Sequence, residues 1–479
     1  MLAYVTVPRA TSFRVARHAI FTVTPDTPIS SAAPSTVPAA EVALLRRARR
    51  QPDGGALYPP PSAFQREYER DLRRMPQAAE RAEIAHGIYV HLPFCYTACV
   101  FCRCNKIVTR DGGKASRYLG FLEREVVLRA RALEERRVAR MYWGGGTPTY
   151  HSIAQLRRLW QTVSQYFDLA PDGDYAIEID PRTVDAGTIA ALRELGFTAA
   201  VIGIPDLLPE VLDAIQRPQT AVQSVAAVRA ALSAGYATVT AEVMCGLPRQ
   251  TVASFIDTLG QLVHAGPHRI VIHDYVHDPR RWTIQRQIRQ HELPHAWARL
   301  DMAGRALERL AAAGYQVAAP GCYVRADDRW AQARASGILV RDALGYTDRA
   351  SGSIVPLGAS AVGGSTWVYV QNEPELGAYY DHVAADVLPV ARGYVLKPDD
   401  LLRREVINRL AAHGRVPFGA IEALFPIVFE RYFEDELRAL LPYAEAGLVR
   451  IAGRTLILER RGLLWAGSIA RLFDACRPA

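Results

Sequence analysis

From residue 88 onward, short apolar runs alternate with longer stretches whose apolar residues recur every third or fourth position. The runs occupy residues 88–92, 138–143, 175–179, 199–204, 238–244 and 269–273, and the clearest helical stretches are 117–131, 153–167 and 222–234. A short apolar run bounded by turn residues predicts a buried strand, and the longer period predicts a helix packed on it. Six strand-then-helix units predict an α/β fold around a parallel sheet. In such folds chemistry gathers beyond the carboxyl ends of the strands. The residues that follow the apolar runs are therefore the ones to inspect.

A further helix is expected at 295–313 and a strand at 316–319, followed by a loop-rich stretch to about 395. Beyond Pro398 the pattern changes to helices at 401–413 and 433–446, then short runs at 448–451 and 455–458. That order suits a winged helix, a module that can enter a DNA groove, but no basic recognition helix stands out. The expected division is an extension at 1–84, partly disordered, a catalytic domain at 85–395 and a winged-helix-like domain at 396–479. Within the extension, Arg9, Arg14 and Arg17 lie among Ser and Thr with no acid before Asp26, the composition of a transit peptide. The Pro- and Ser-rich residues at 30–38 and 58–61 favour a plain flexible extension.

The 479 residues are 49% hydrophobic, which is enough for a large core plus an appended domain. No apolar run is long enough to span a bilayer. The net charge of +8 is spread over arginines rather than concentrated in lysine blocks, so it suits an acidic small molecule or an acidic protein better than nucleic acid. A cytoplasmic protein is expected.

Seven cysteines are present, four of them in the run Cys95-Tyr-Thr-Ala-Cys99-Val-Phe-Cys102-Arg-Cys104. Such crowding is no disulfide framework, and a structural zinc site would need a second cysteine pair set well apart. Three thiolates spaced C-x3-C-x2-C on one loop can hold a [4Fe–4S] cube and leave its fourth iron without a protein ligand. Cys104 must then lie outside the coordination, since a fourth thiolate would close the open iron. Cys245, Cys322 and Cys476 read as ordinary small apolar residues. The next strand ends in Gly144-Gly145-Gly146-Thr147-Pro148, where glycines let backbone groups approach a bound polar molecule.

Together with Tyr89-Val-His-Leu-Pro-Phe-Cys95, Tyr142-Trp-Gly-Gly-Gly-Thr-Pro-Thr149, Glu178-Ile-Asp180-Pro181, Gly246-Leu-Pro-Arg-Gln-Thr251 and Gly345-Tyr-Thr347, this run resembles the radical S-adenosylmethionine enzymes of the oxygen-independent coproporphyrinogen III oxidase type. The resemblance covers most of the chain from about residue 85. It implies a partial (β/α)6 barrel with the C-terminal domain packed over its mouth. It also implies a [4Fe–4S] cluster on Cys95, Cys99 and Cys102 and two bound S-adenosylmethionine molecules. Contacts to these are implied for Tyr89, Phe101, Gly145, Gly146, Thr147, Glu178, Arg217, Glu242, Val276 and Val362. Glu178 matches the acid that holds the amino group of the iron-bound molecule. An electron-donor protein such as flavodoxin or ferredoxin is implied as partner.

Several positions depart from the oxidase pattern. Pro205 stands where the family has Gln, Glu242 where it has Asp, and Pro320-Gly321-Cys322-Tyr323-Val324 where it has Gly-Met-Asp-His-Phe. The amino-terminal oxidase signature is reduced to Leu57-Tyr58-Pro59-Pro60. These departures direct the expectation to the superfamily's methylase branch, acting on an unsaturated carbon of a natural product by C-methylation or cyclopropanation. The alternative is coproporphyrinogen III oxidation; a haem-binding relative fits less well, because that branch commonly has Phe at the place of Cys104.

Overall fold

The computed structural model describes residues 37–47, 57–68, 85–349 and 352–476. The transit-peptide stretch and most of the extension lie outside these residues. Six strands, β1 (His86–Leu92), β2 (Arg137–Gly145), β3 (Asp168–Ile179), β4 (Ala199–Gly203), β5 (Thr238–Cys245) and β6 (Arg269–Asp274), pair side by side in chain order, every pair parallel. The helices α1 (Gly112–Ala132), α2 (Ile153–Tyr166), α3 (Ala186–Leu195), α4 (Ala221–Ser233), α5 (Val252–Ala265) and α6 (Ala296–Ala312) follow them. The fold is the α/β barrel-like one expected, with a central parallel sheet and a C-terminal helical domain.

Each strand carries two interleaved sequences, because successive side chains point to opposite faces. Trp143, Ile177, Ile202, Val239, Ala241 and Ile270 pack with the helices in one apolar core. The intervening Arg140, Tyr142, Asp174, Thr240, Glu242 and Arg269 line a cavity of about 490 Å³ inside the curved sheet. Helices start where the sequence supplies caps: Asp111 accepts from the backbone of α1, and Ser152, Thr220 and Thr251 form capping boxes at α2, α4 and α5.

The stretch expected to be loop-rich also supplies short strands to the sheet. Ile354–Leu357 lies parallel to β1 on its outer edge, and Val362–Gly364, Val368–Asn372 and Val390–Val395 continue the sheet antiparallel. Tyr315–Ala319 and Cys322–Arg325 extend the far edge beyond β6, for twelve strands in all. Val362–Gly364, Val368–Asn372 and Val390–Val395 include Gly or polar residues, and Ile354–Leu357 is only four residues long, so none of these shows an extended apolar run. The helix expected at 433–446 is two, Glu434–Ala439 and Leu441–Glu445. Pro442 has no N–H to continue the first and is tolerated in the first turn of the second.

Helix Pro398–His413 and a three-stranded antiparallel sheet (Arg415–Pro417, Thr455–Leu458, Val449–Ala452) surround a separate core that includes Val406, Leu410, Phe418, Phe429, Phe433 and Trp465. Phe418 stacks on Phe429 at 4.1 Å. Helix Ala39–Arg47 adds Leu44 to this core. Its Glu41, fully buried, accepts from Trp465 Nε1 at 2.9 Å and from Arg461. The adjoining Leu463, Leu464 and Gly467 form part of the cavity wall.

Candidate active site

At the carboxyl end of β2 the backbone passes too close to its neighbours for side chains. A Cβ on Gly145, whose φ is +115°, would stand 2.5 Å from the His91 ring, and one on Gly144 would stand 2.6 Å from Glu178 Oε1. The Gly145 N–H donates to Glu178 Oε2 at 3.1 Å, and the Tyr142 hydroxyl donates to Oε1 at 2.9 Å. Burial, with Glu242 adding like charge, pushes the Glu178 carboxyl up to about 7 despite those two donors. A carboxylate so placed gains from an added cation. Glu242, within β5, lies 3.3 Å from His273 Nε2 on the cavity wall. Tyr89 stacks on Tyr142, 6.3 Å between centroids, and its hydroxyl meets His91 Nδ1 at 3.0 Å.

The cysteine loop leaves β1 directly opposite this turn. Cys95 and Cys99 are buried, Cys102 is half-buried and Cys104 is exposed. Cys95 Sγ lies 3.4 Å from Thr147 Oγ1; its thiol is pushed up to about 11 by burial. Cys99 Sγ accepts from Arg217 Nη1 at 3.3 Å and Arg182 Nη2 at 3.9 Å. A hydrogen bond from Cys104 lowers Cys102 to about 6. Among the described residues no three His, Cys, Asp or Glu side chains converge on a single point, nor need they for a cubic cluster, where each thiolate binds a different iron. Soft sulfur donors, two guanidiniums on the most enclosed side and a side-chain-free glycine turn opposite fit a [4Fe–4S] group with a small polar cofactor beside it.

The other residues singled out in the sequence are spread around this centre. Arg217 is engaged by Cys99, by Gln219 Oε1 at 2.6 Å, by the Gly203 carbonyl at 3.1 Å and by Asp180 at 3.3 Å. The carbonyls of Phe101 and Val276 both accept from Gln285 Nε2, at 3.3 and 3.1 Å, which ties the cysteine loop to the segment after β6. Val362 packs instead with Phe64 and Tyr369 in a satellite apolar cluster. The sequence reading passed over the lumen arginines. Arg269 makes two bonds to Asp328, at 2.7 and 3.0 Å, and lies 3.7 Å over Trp330, while Arg140 bonds Asp342. Their signal was the period of two along β2 and β6, where a charged residue inside an apolar run marks the lumen face.

The chain matches the Radical SAM superfamily over residues 89–262 and the HemN C-terminal domain over residues 396–465. It is 34% identical to the oxygen-independent coproporphyrinogen III oxidase of Salmonella typhimurium, covering 91% of this chain and 95% of the relative. It is 37% identical to that of Pseudomonas aeruginosa, covering 82% and 86%. The chain belongs to the oxygen-independent coproporphyrinogen III oxidase family. The solved structure of coproporphyrinogen III oxidase (HemN) from Escherichia coli, described as a radical SAM enzyme, superimposes with a TM-score of 0.83 at 33% identity, over 91% of this chain and 98% of that one. Members of this family use a [4Fe–4S] cluster and two S-adenosylmethionine molecules, so this oxidase-family chain is a radical S-adenosylmethionine enzyme.

Family membership corrects the expectation of a natural-product methylase or cyclopropanase, since the well-covered relatives and the structural neighbour are coproporphyrinogen oxidases. Among the departures that prompted it, Pro205, Cys322 and Tyr323 are each engaged through backbone, while Glu242 and the 320–323 stretch also line the cavity. Pro205 contributes its carbonyl, which accepts from the Met244 N–H at 3.0 Å. Cys322 and Tyr323 pair with Val271 and Ile270 as a strand. Such pairing tolerates a change of side chain. Among the described residues no helix is long and apolar enough to cross a membrane.

Proposed function

We propose that the chain catalyses the oxygen-independent oxidative decarboxylation of coproporphyrinogen III, taking one hydrogen atom and releasing carbon dioxide from each reacting propionate, with the electron left over passing to an external one-electron acceptor. The observation that carries this reading is a basic lumen directly beside the cysteine loop. Arg103, Arg140, Arg269 and Arg341 all line the cavity that Tyr89 and Glu242 bound, and planar guanidiniums suit carboxylates. Arg140 and Arg269 hold Asp342 and Asp328, and Arg103, over the Trp282 ring, is assigned to the substrate carboxylates.

In this reading Cys95, Cys99 and Cys102 hold the cluster, with Cys104 outside its coordination. The cluster and its bound S-adenosylmethionine supply a carbon radical able to take hydrogen from an unactivated position. Glu178 receives the cofactor amino group, which restores its charge in a buried place. Gly145, Gly146 and Thr147 admit the cofactor to backbone contact, and Tyr89, Phe101, Arg217, Glu242, Val276 and Val362 complete the walls. Residues 85–395 form the catalytic domain and residues 396–479 close its side. An acidic electron carrier such as a flavodoxin or ferredoxin supplies the electron, and the protein works in the cytoplasm, without nucleic acid or membrane as partner.

Anaerobic incubation of the reconstituted protein with coproporphyrinogen III, S-adenosylmethionine and a low-potential reductant tests the reading. Carbon dioxide should be released, and a deuterium placed on the propionate should appear in 5'-deoxyadenosine. Coproporphyrinogen III left unchanged by protein that cleaves S-adenosylmethionine would overturn it.

A further inference from the structure

The strand that presents Glu178 ends two residues later in Asp180-Pro181-Arg182, which the proposed reaction leaves without a task. Asp180 follows the last residue of β3 directly: Glu178 reaches the glycine turn, and Asp180 holds the two arginines that reach the cysteine loop. Arg182 closes on Asp180 through Nε at 3.0 Å and Nη2 at 2.6 Å, and its backbone N–H donates to the same carboxylate at 3.0 Å. Arg217 Nη2 stands 3.3 Å from Asp180 Oδ1. The side chains of Asp180, Arg182 and Arg217 are 7%, 14% and 9% exposed. From this base both guanidiniums extend to one atom, Cys99 Sγ, and Arg182 Nη1 also donates to Thr97 Oγ1 at 2.9 Å. Burial works against the Asp180 charge, yet the two arginines hold its carboxyl below the usual range.

A turn needs only the bond from Asp180 to the backbone of Arg182. It does not need the guanidinium swung across to a different loop and wedged between Thr97 and Cys99. Two cations and one anion leave a net positive charge on a thiolate shielded from water, where it is weakly screened. Positive charge and N–H donors at a ligating sulfur favour the more negative, reduced form of an iron–sulfur cluster.

We propose that Arg182, anchored by Asp180, is a positioning residue that raises the reduction potential of the cluster through Cys99 and so eases its one-electron reduction. The electron comes from an external low-potential carrier, and no covalent bond changes in the step. The proposal rests on the cluster being held at Cys95, Cys99 and Cys102, and is independent of the substrate.

The test is an EPR-monitored redox titration of anaerobically reconstituted, full-length Arg182→Gln and Arg182→Lys, without substrate, alongside iron and sulfide analysis. Arg182→Gln should carry a full cluster whose reduced-to-oxidised ratio at a fixed poise falls about tenfold, equivalent to about 59 mV for one electron. Arg182→Lys, which keeps the charge, should recover most of that shift. A wild-type midpoint in Arg182→Gln with four irons bound, or the same shift in both variants, would overturn the proposal. If Arg182→Gln takes up no cluster, a cluster retained by Arg182→Lys supports the role of charge, and its loss there refutes it. Lowered coproporphyrinogen turnover with an unmoved midpoint counts against this proposal and leaves the substrate reading standing.

Discussion

Glu178 pairs a local sequence signal with a setting that only the fold provides. The acid at the end of an apolar run is legible, as is the glycine turn, because each motif is contiguous. The carboxyl at about 7 is not, since burial and then Glu242 of β5 raise it against the donors Tyr142 and Gly145 of β2. A raised carboxyl pKa makes the folded chain bind more protons than the unfolded one between the ordinary 4.5 and about 7. Stability from this group is therefore greatest below 4.5 and is lost as pH rises through 7. Glu178→Gln in the apoprotein should remove that slope and raise stability at pH 8 relative to pH 5, by on the order of 2 kcal/mol, read from urea unfolding at the two pH values. An equal effect at both would contradict the assignment. In the holoenzyme Glu178→Ala should weaken S-adenosylmethionine binding by about 1.5–3 kcal/mol for a lost charged hydrogen bond, measured calorimetrically with the cluster spectrum intact. Arg217 was legible as a residue but its setting was not, because its nearest partners include Cys99, far back in the chain.

At the scale of elements, the six strands and their helices were legible because a strand covered by helices reads as a short apolar run between turns. The edge strands after Gly352 were not, and neither was what fastens them. Glu125, in the middle of α1, reads in sequence as a solvated helix acid, yet it is fully buried. It accepts from Asn372 Nδ2 at 2.7 Å, the Gly358 N–H at 2.7 Å, the Tyr379 hydroxyl at 2.8 Å and Arg129 Nε at 3.4 Å. One carboxylate thus joins α1 to the strands on the outer side of β1. Glu125→Ala leaves Arg129 buried without its counter-charge and should cost about 3–5 kcal/mol. Chemical denaturation should report that loss, and an effect below 1 kcal/mol would show that the network is relaxed by water.

On the scale of the whole molecule, the two cores are joined by a segment that sequence reading set aside as an extension. Helix Ala39–Arg47 sends Glu41 to Arg461 and Trp465, in the same segment as the Leu463, Leu464 and Gly467 that wall the cavity. Glu41→Ala should loosen that wall, seen as faster hydrogen exchange at residues 461–470 and a higher KM with little change in cluster content. Unchanged exchange there would detach the helix from the cavity. The pairing of β1 has a different consequence. One edge of β1 is covered by β2, but the other waits for Ile354–Leu357, with Gly87 opposite Ile354. On a ribosome adding about 5–20 residues per second, the wait is on the order of 10–60 s. During it the strand leading into the cysteines has an open edge in the nascent chain, so iron is best delivered after synthesis has passed Leu357, when the cysteine loop finally follows a strand paired on both sides.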